Sequence, residues 1–174
     1  ATENLTTPQA KNDNISPMLS SITIRAHVKD GLELAWEAKL PKRIRDFIAE
    51  HHGTTCTFYF YRKALAMGEQ VSRDDFTYPG PKPQTRETAL LMIVDSVEAA
   101  VRAADVGRAG DKDQTAEAVE KIITQVVQSK LNENQFDEVD LTQKDLATIK
   151  QTLISVLTSM YHTRKVKKIE SRKS

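Results

Sequence analysis

Three places in the chain combine a metal-competent side chain with a face that should be buried: His27, the pair His51-His52, and Asp95. Histidine and carboxylate donors together suit Zn, Mn or Fe. Asp95 is the most conspicuous. It stands in the most apolar run of the sequence, Leu90-Leu-Met-Ile-Val-Asp-Ser-Val-Glu-Ala-Ala-Val101. An ionised carboxylate there is costly to bury unless a cation or hydrogen bonds compensate. If His51 and His52 lie on a helix, their side chains point about 100° apart. They then serve two neighbouring metals, or one metal and a substrate phosphate, more readily than a single ion. Each position also has an ordinary structural alternative. His27 could be a solvent-facing or packing histidine, the His-His pair incidental, and Asp95 a partner of backbone or of a buried arginine. Spacing alone yields no compact motif such as His-Glu-x-x-His.

The elements that must position these residues read as helices. From Ser20 to Lys39, the apolar or partly apolar positions Ile24, His27, Val28, Gly31, Leu32 and Ala35 recur at three and four, which defines one helical face. Gly31 weakens the middle of that helix. Pro41 opens the next one, where its missing N–H costs nothing. Ile44, Ile48 and His52 are four apart, as are Phe47 and His51. Both histidines are therefore expected to continue the buried stripe of that helix. Thr54 to Tyr61 has strand composition, but no partner strand is visible and Phe58, Tyr61 and Leu65 are helix-spaced, so helix is expected. Met67 to Thr85 is a loop that holds three of the six prolines, in Tyr78-Pro-Gly-Pro-Lys-Pro83. Proline at alternate positions holds the backbone extended. A helix from about Thr85 onward should be central to the fold and close at Gly107 and Gly110. A further helix is expected over about Asp113 to Leu131, with Val119, Ile122, Ile123, Val126 and Val127 inward. Thr142 and Asp145 have capping-box spacing ahead of a last helix carrying Leu146, Ile149, Leu153, Val156, Leu157 and Met160. The architecture expected is all-α, one domain over residues 1–174, with 1–14 and 165–174 flexible.

Composition narrows the function classes. The 174 residues are 39% hydrophobic and 28% charged, with a formal net charge of +1. That is the make-up of a globular domain long enough to bury a core, and bulk charge implies no nucleic-acid polymer as partner. The wholly apolar stretch Ala89 to Val94 is far too short to span a bilayer. One cysteine, Cys56, allows no intramolecular disulfide and fits a reducing compartment. The basic residues Arg164, Lys165, Lys167, Lys168, Arg172 and Lys173 stand against Glu170 alone at the end of the chain. A solvated terminus explains them, and an anionic surface is the alternative.

Several blocks resemble the cytosolic HD domain of seven-transmembrane HD proteins. They are His27-Val-Lys-Asp-Gly31, His51-His-Gly-Thr-Thr55, Tyr78-Pro-Gly-Pro-Lys-Pro-Gln84, Asp95-Ser-Val-Glu-Ala-Ala-Val-Arg102, Phe136-Asp-Glu-Val-Asp-Leu-Thr142 and Tyr161-His-Thr-Arg164. They occur in the family's order over roughly residues 15–164. The resemblance implies an HD-type helical bundle that binds two divalent ions, Mn, Fe or similar, and hydrolyses the cyclic dinucleotide c-di-AMP to linear pApA. It implies His27, His51, His52 and Asp95 as metal ligands, with no catalytic residue assigned beyond them. The family's first His and its His-Asp pair have no counterpart here, since the four histidines are followed by Val28, His52, Gly53 and Thr163. The polar opening, Ala1 to Asn14, reads as the edge of a longer protein whose earlier part carries them.

The expectation is accordingly an N-terminally truncated HD-like bundle from the cytoplasmic side of a bacterial membrane protein. Its metal centre should be incomplete or absent, and its turnover of c-di-AMP poor by itself. Lys82, Arg86 and Ser96 are weaker candidates for contact with a substrate phosphate, and His162 matches the family without a role. The four ligands should converge in one site. Helix faces left uncovered by the missing segment should drive self-association. The alternative reading is a degenerate HD-like module that binds a nucleotide or transmits a signal without catalysis.

Overall fold

The computed structural model describes residues 15–106 and 112–170, with side chains described over 15–106 and 114–161. Its helices are α1 (Pro17–Glu37), α2 (Lys42–Glu50), α3 (Phe58–Ala66), α4 (Arg86–Ala103), α5 (Lys112–Asn132) and α6 (Gln143–Glu170), with a 3-10 turn at Asp74–Phe76. No strand occurs among the described residues, and the all-α expectation holds. None of their helices is long and apolar enough to cross a membrane. The chain divides into two compact units, Ala1–Gln84 and Thr85–Ser174.

The first unit begins with α1, which is started by local chemistry. The Ser16 hydroxyl accepts the Leu19 N–H at 3.1 Å and Pro17 takes the first helical turn, where serine caps and proline are both favoured. At the other end Leu40 N–H reaches Ala35 O and Lys39 N–H reaches Trp36 O, with Lys39 left-handed at φ 53°. This paired closure satisfies the last carbonyls and reverses the chain. Arg45 secures the corner: its guanidinium lies 3.6 Å over the Trp36 ring and donates to Leu40 O at 2.6 Å. The short corner makes α1 and α2 an antiparallel helical hairpin. Gly31 suits that hairpin, since a Cβ on it would meet Ile48 Cγ2 at 3.1 Å, a contact tight enough to push the Ile48 side chain aside.

Two expectations are corrected in this unit. The α2 helix ends at Glu50 with His51 as its cap residue, so His51 and His52 leave the helix in a turn instead of extending its stripe. The break falls where Gly53 (φ 53°) takes a left-handed conformation. The segment after it is not helical until Phe58. Cys56 instead forms an isolated antiparallel bridge with Thr77, through Thr57 N–H to Phe76 O at 2.8 Å and Tyr78 N–H to Thr55 O at 2.9 Å. The strand-like composition was a true local signal. Its partner is the proline loop, which carries no strand pattern of its own. Phe60, Ala64 and Phe76 form the buried cluster under this bridge.

In the second unit α4 packs on α5, and α5 on α6. Thr85 and Thr88 cap α4 reciprocally. Ala89, Met92, Ile93, Val97 and Val101 of α4 join Val119, Ile123 and Val127 of α5, with Phe136 and Leu146, in one buried cluster. These spacings of three and four are the predicted inward faces. The apolar surround of α4 is not wholly buried, for Leu90, Leu91 and Val94 remain 36–40% exposed. The helix also stops before the expected glycines. Asp105 is left-handed (φ 50°) and Val106 N–H turns back to Val101 O. Gly107 and Gly110 lie outside the described residues, as do the polar opening 1–14, the end of the basic tail and the side chains from His162 onward. Thr142 and Asp145 form the expected capping box, with Thr142 N–H on Asp145 Oδ2 at 3.0 Å and Asp145 N–H on Thr142 Oγ1 at 3.1 Å.

Two stability measurements check this packing. Met92 is fully buried, so Met92→Ala should cost about 2–5 kcal/mol in urea unfolding, and Leu90→Ala on the exposed flank a small fraction of that. The Thr142 hydroxyl, then its N–H, hold the Asp145 carboxyl below its ordinary range. A carboxylate depressed by folding stabilises above its unfolded pKa and loses that contribution as pH falls through the folded value. Asp145→Asn should therefore lower the melting temperature at pH 7, and the gap to the parent should close below about pH 4.

Candidate metal centre

The hairpin geometry explains how His27 meets the histidine pair. Gly31 faces Ile48 across the α1–α2 contact. In an antiparallel pair, moving back along α1 corresponds to moving forward along α2. His27 is one turn before Gly31, and His51 and His52 follow Ile48 by three and four residues, so the three imidazoles arrive at one end of the hairpin. Their ring nitrogens include a set all within 4.8 Å of one another, and each residue is half-buried. Among the described residues this is the one group of three or more histidine, cysteine or acidic side chains with that proximity.

The protonation pattern follows from the hydrogen bonds. His27 Nδ1 lies 2.5 Å from Ile24 O and His51 Nδ1 lies 2.8 Å from Ile48 O. A carbonyl only accepts, so each Nδ1 carries the proton and donates. Each neutral ring is then left with its lone pair on Nε2. Those two Nε2 atoms are 3.2 Å apart. Two bare lone pairs at that distance repel unless a proton or a cation lies between them. The spacing fits two nitrogens each ~2.0–2.1 Å from a shared ion, and backbone-bonded Nδ1 is the usual outer support of a metal-binding histidine. The donor set therefore fits a divalent metal of the Zn, Mn or Fe type. His52 completes the group, its ring 4.0 Å from His51 and 5.0 Å from His27 between centroids.

A strap of loop closes this end of the unit. The Arg25 guanidinium, two residues before His27 on α1, donates to Asp75 O at 2.7 Å and to Thr77 O. At the far end of the loop the Gln84 N–H donates to the carboxylate of Glu50 at 2.8 Å, and Glu50 is only 4% exposed. Between these anchors Tyr78, itself 7% exposed, stacks on His52 with centroids 4.3 Å apart and planes 28° from parallel. Arg25, Glu50 and Tyr78 carried no role in the sequence reading. Their partners lie 26–52 residues away, and neither periodicity nor a short motif reports such a pairing.

The remaining candidates stand on other elements. The structure groups three of the four expected ligands within the first unit, while Asp95 stands half-buried on α4 of the second. Its charge acts on Lys130 of α5: burial pushes the Lys130 ammonium down, and Glu133 and Asp95 oppose that shift. Arg86 is engaged structurally, donating through Nε to Asp140 O at 2.6 Å and through Nη2 to Asp140 Oδ2 at 2.8 Å, which ties the start of α4 to the approach of α6. Ser96 is half-buried beside Asp95, and the Lys82 carbonyl accepts from Gln84 Nε2 at 3.0 Å within the proline loop.

No family model matches the chain. Among curated proteins it is 40% identical over 153 residues to the cyclic-di-AMP phosphodiesterase PgpH of Bacillus subtilis, and 39% identical over 153 residues to that of Listeria monocytogenes. Each match covers 88% of this chain and 20% of the relative, so the chain spans about a fifth of their length. An uncharacterised Synechocystis protein is 32% identical over 160 residues. Among solved structures it superposes on the L. monocytogenes PgpH HD domain with a TM-score of 0.77 at 38% identity, covering 87% of this chain and 68% of that one. The same domain solved in complex with cyclic-di-AMP gives a TM-score of 0.78. With that identity extending over more than two thirds of the solved domain, the chain belongs to the HD-domain family of the PgpH phosphodiesterases.

Proposed function

We propose that this chain is the hydrolytic domain of a metal-dependent phosphodiesterase that opens c-di-AMP to linear pApA in the intact protein. The observation that carries the reading is the pair of Nε2 lone pairs 3.2 Å apart on His27 and His51, each ring oriented by its own helix, in a chain related to proteins of that activity. His27, His51, His52 and Asp95 are the ligands in this reading. The intact domain takes two divalent ions, Mn, Fe or similar, and residues 1–174 form one HD-type domain. Asp95 joins the set through the family resemblance.

Metal so held would supply Lewis acidity toward a phosphoryl oxygen and a water of lowered pKa. The chain's own part is orientation. Backbone carbonyls accept the Nδ1 protons of His27 and His51, so Nε2 is the nitrogen that each neutral ring presents to a metal. The net reaction adds one water across one phosphodiester: the new P–O bond forms, the P–O3′ bond breaks, and the 3′ oxygen leaves with a proton. Lys82 and Ser96 remain the candidates for contact with a phosphate in this reading. The Arg86 side chain serves the α4–α6 contact first.

The parent is read as a bacterial membrane protein with this domain on its cytoplasmic side. Support comes from the resemblance to the seven-transmembrane HD proteins and from the length of the relatives. Self-association is supported by Leu19, Ile22, Leu34 and Trp36 on α1, each at least half exposed, since large exposed apolar patches on soluble proteins tend to be covered by a partner.

Two tests follow. In the parent protein with Mn²⁺, c-di-AMP should be converted to pApA, measured by anion-exchange chromatography. His51→Ala and Asp95→Ala should each lower the rate by at least roughly 100-fold, beyond the ~10–100-fold typical for loss of an outer-shell partner, and a chelator should abolish it. Undiminished turnover in His51→Ala, or with chelator, would overturn the assignment. For the 174-residue chain, light scattering at micromolar concentration should report a species larger than a monomer, and a clean monomer would remove the self-association reading.

A further inference from the structure

We propose that Tyr78 is a positioning residue for His52: its ring sets the plane of the His52 imidazole and so the direction of that ring's donor nitrogen. The inference rests on the metal-centre reading and assigns a role to the proline loop. His27 and His51 are aimed by Nδ1 bonds to carbonyls of their own helices. His52 stands beyond the end of α2, in the turn closed by the left-handed Gly53. The Tyr78 ring stacks on it at 4.3 Å and 28°, and the His51 ring lies 4.0 Å from it. Offset stacking at such distances favours a defined mutual orientation of the two rings.

The backbones of the two residues are tied as well. Thr55 donates to His52 O through its N–H at 3.1 Å and its hydroxyl at 2.8 Å. The Thr55 carbonyl accepts the Tyr78 N–H at 2.9 Å. A single residue thus holds both ends of the stack in register. The loop that delivers Tyr78 is stiff by composition, with Pro79, Pro81 and Pro83 following it, each of which locks its own φ and restrains the residue before it. It is pinned at one end by Arg25 and at the other by Glu50. Gly80 takes φ +86°, and a Cβ there would meet Thr54 Cγ2 at 3.1 Å, so the loop lies close on the turn that carries the histidines. Ordinary core packing would call only for a buried apolar group at position 78. The stack demands an aromatic ring.

The 174-residue chain tests this by two readouts. Without metal, ¹³C-resolved spectra of the imidazole C–H groups should show His52 shifted by the ring current of an adjacent aromatic. Tyr78→Phe should preserve that shift and Tyr78→Leu should reduce it to the part contributed by the His51 and His27 rings. In calorimetric titration with Mn²⁺, Tyr78→Leu should weaken affinity about 10-fold, the lower range for loss of an outer partner, while Tyr78→Phe restores it. Tyr61→Leu, which disturbs the contact with Phe76 (ring centroids 5.6 Å), should lower stability and leave both readouts alone. Should Tyr78→Leu fail to fold, Arg25→Met removes one anchor of the loop without opening the core, and should broaden the His52 signals and weaken Mn²⁺ binding in the same direction. Unmoved His52 signals with parental Mn²⁺ affinity in Tyr78→Leu would overturn the proposal. Equal Mn²⁺ binding by the parent and His51→Ala would instead defeat the metal-centre reading, and the ring-current measurement would still decide whether Tyr78 holds His52.

Discussion

The close approach of α1 and α2 is the constraint from which the first unit follows. It favours a residue without a side chain at position 31, because a Cβ there would press on Ile48 of α2 at 3.1 Å. It also needs a four-residue corner that stops α1 abruptly, which the left-handed Lys39 and the two returning hydrogen bonds provide. Given those two conditions the hairpin register is fixed. His27 and the His51-His52 pair then come together as a consequence of register, one turn away from the tightest contact. A glycine that weakens an isolated helix by about 1 kcal/mol thus eases the helix contact that brings the histidines together.

Around that contact the chain uses polar groups to hold backbone more than to hold side chains. Arg25, Glu50, Thr55 and Thr57 all bond main-chain atoms of the segments that surround the histidines. Buried backbone groups outside regular elements must find partners, and the loop from Met67 to Thr85 has few of its own. Glu50 serves this purpose from the last residue of α2, directly before the histidine pair. The carboxylate nearest the site in sequence is thereby committed to a backbone amide, and the donors left facing one another are imidazole nitrogens. Hydrogen bonds that orient imidazoles are a recurring feature of metal-binding histidines, and His27 and His51 each have one through Nδ1.

The second unit rests on different physics. Its cluster of Ala89, Met92, Ile93, Val97, Val101, Val119, Ile123 and Val127 is packed by helical periodicity alone, and its helix ends are satisfied by local caps at Thr85, Asp105, Asn134 and Thr142. Asp95 departs from this pattern. It shares α4 with the core residues, yet it is half-buried and electrostatically answered by Lys130. A half-exposed carboxylate is less costly than one sealed in the core.

The sequence by itself determined the all-α class, the inward faces of α4 and α5, the inward positions of α6 except Val156 and Met160, which are 48% and 47% exposed, the capping box at Thr142–Asp145, the loop at Tyr78–Pro83, and the three histidines that the fold groups together. These are properties of local pattern, and a helix face or a cap involves residues three or four apart. The sequence could not decide where α2 ends, because the spacing of Ile44, Ile48 and His52 continues the helical stripe past the point where the chain turns at Gly53. Nor could it decide that Cys56 pairs with Thr77, that Gly31 is a contact and not a weakness, or that Tyr78 lies on His52. Each of those depends on a partner 17–26 residues away. Only the fold brings such partners within van der Waals reach, and only there do the two Nε2 lone pairs of His27 and His51 come to face one another.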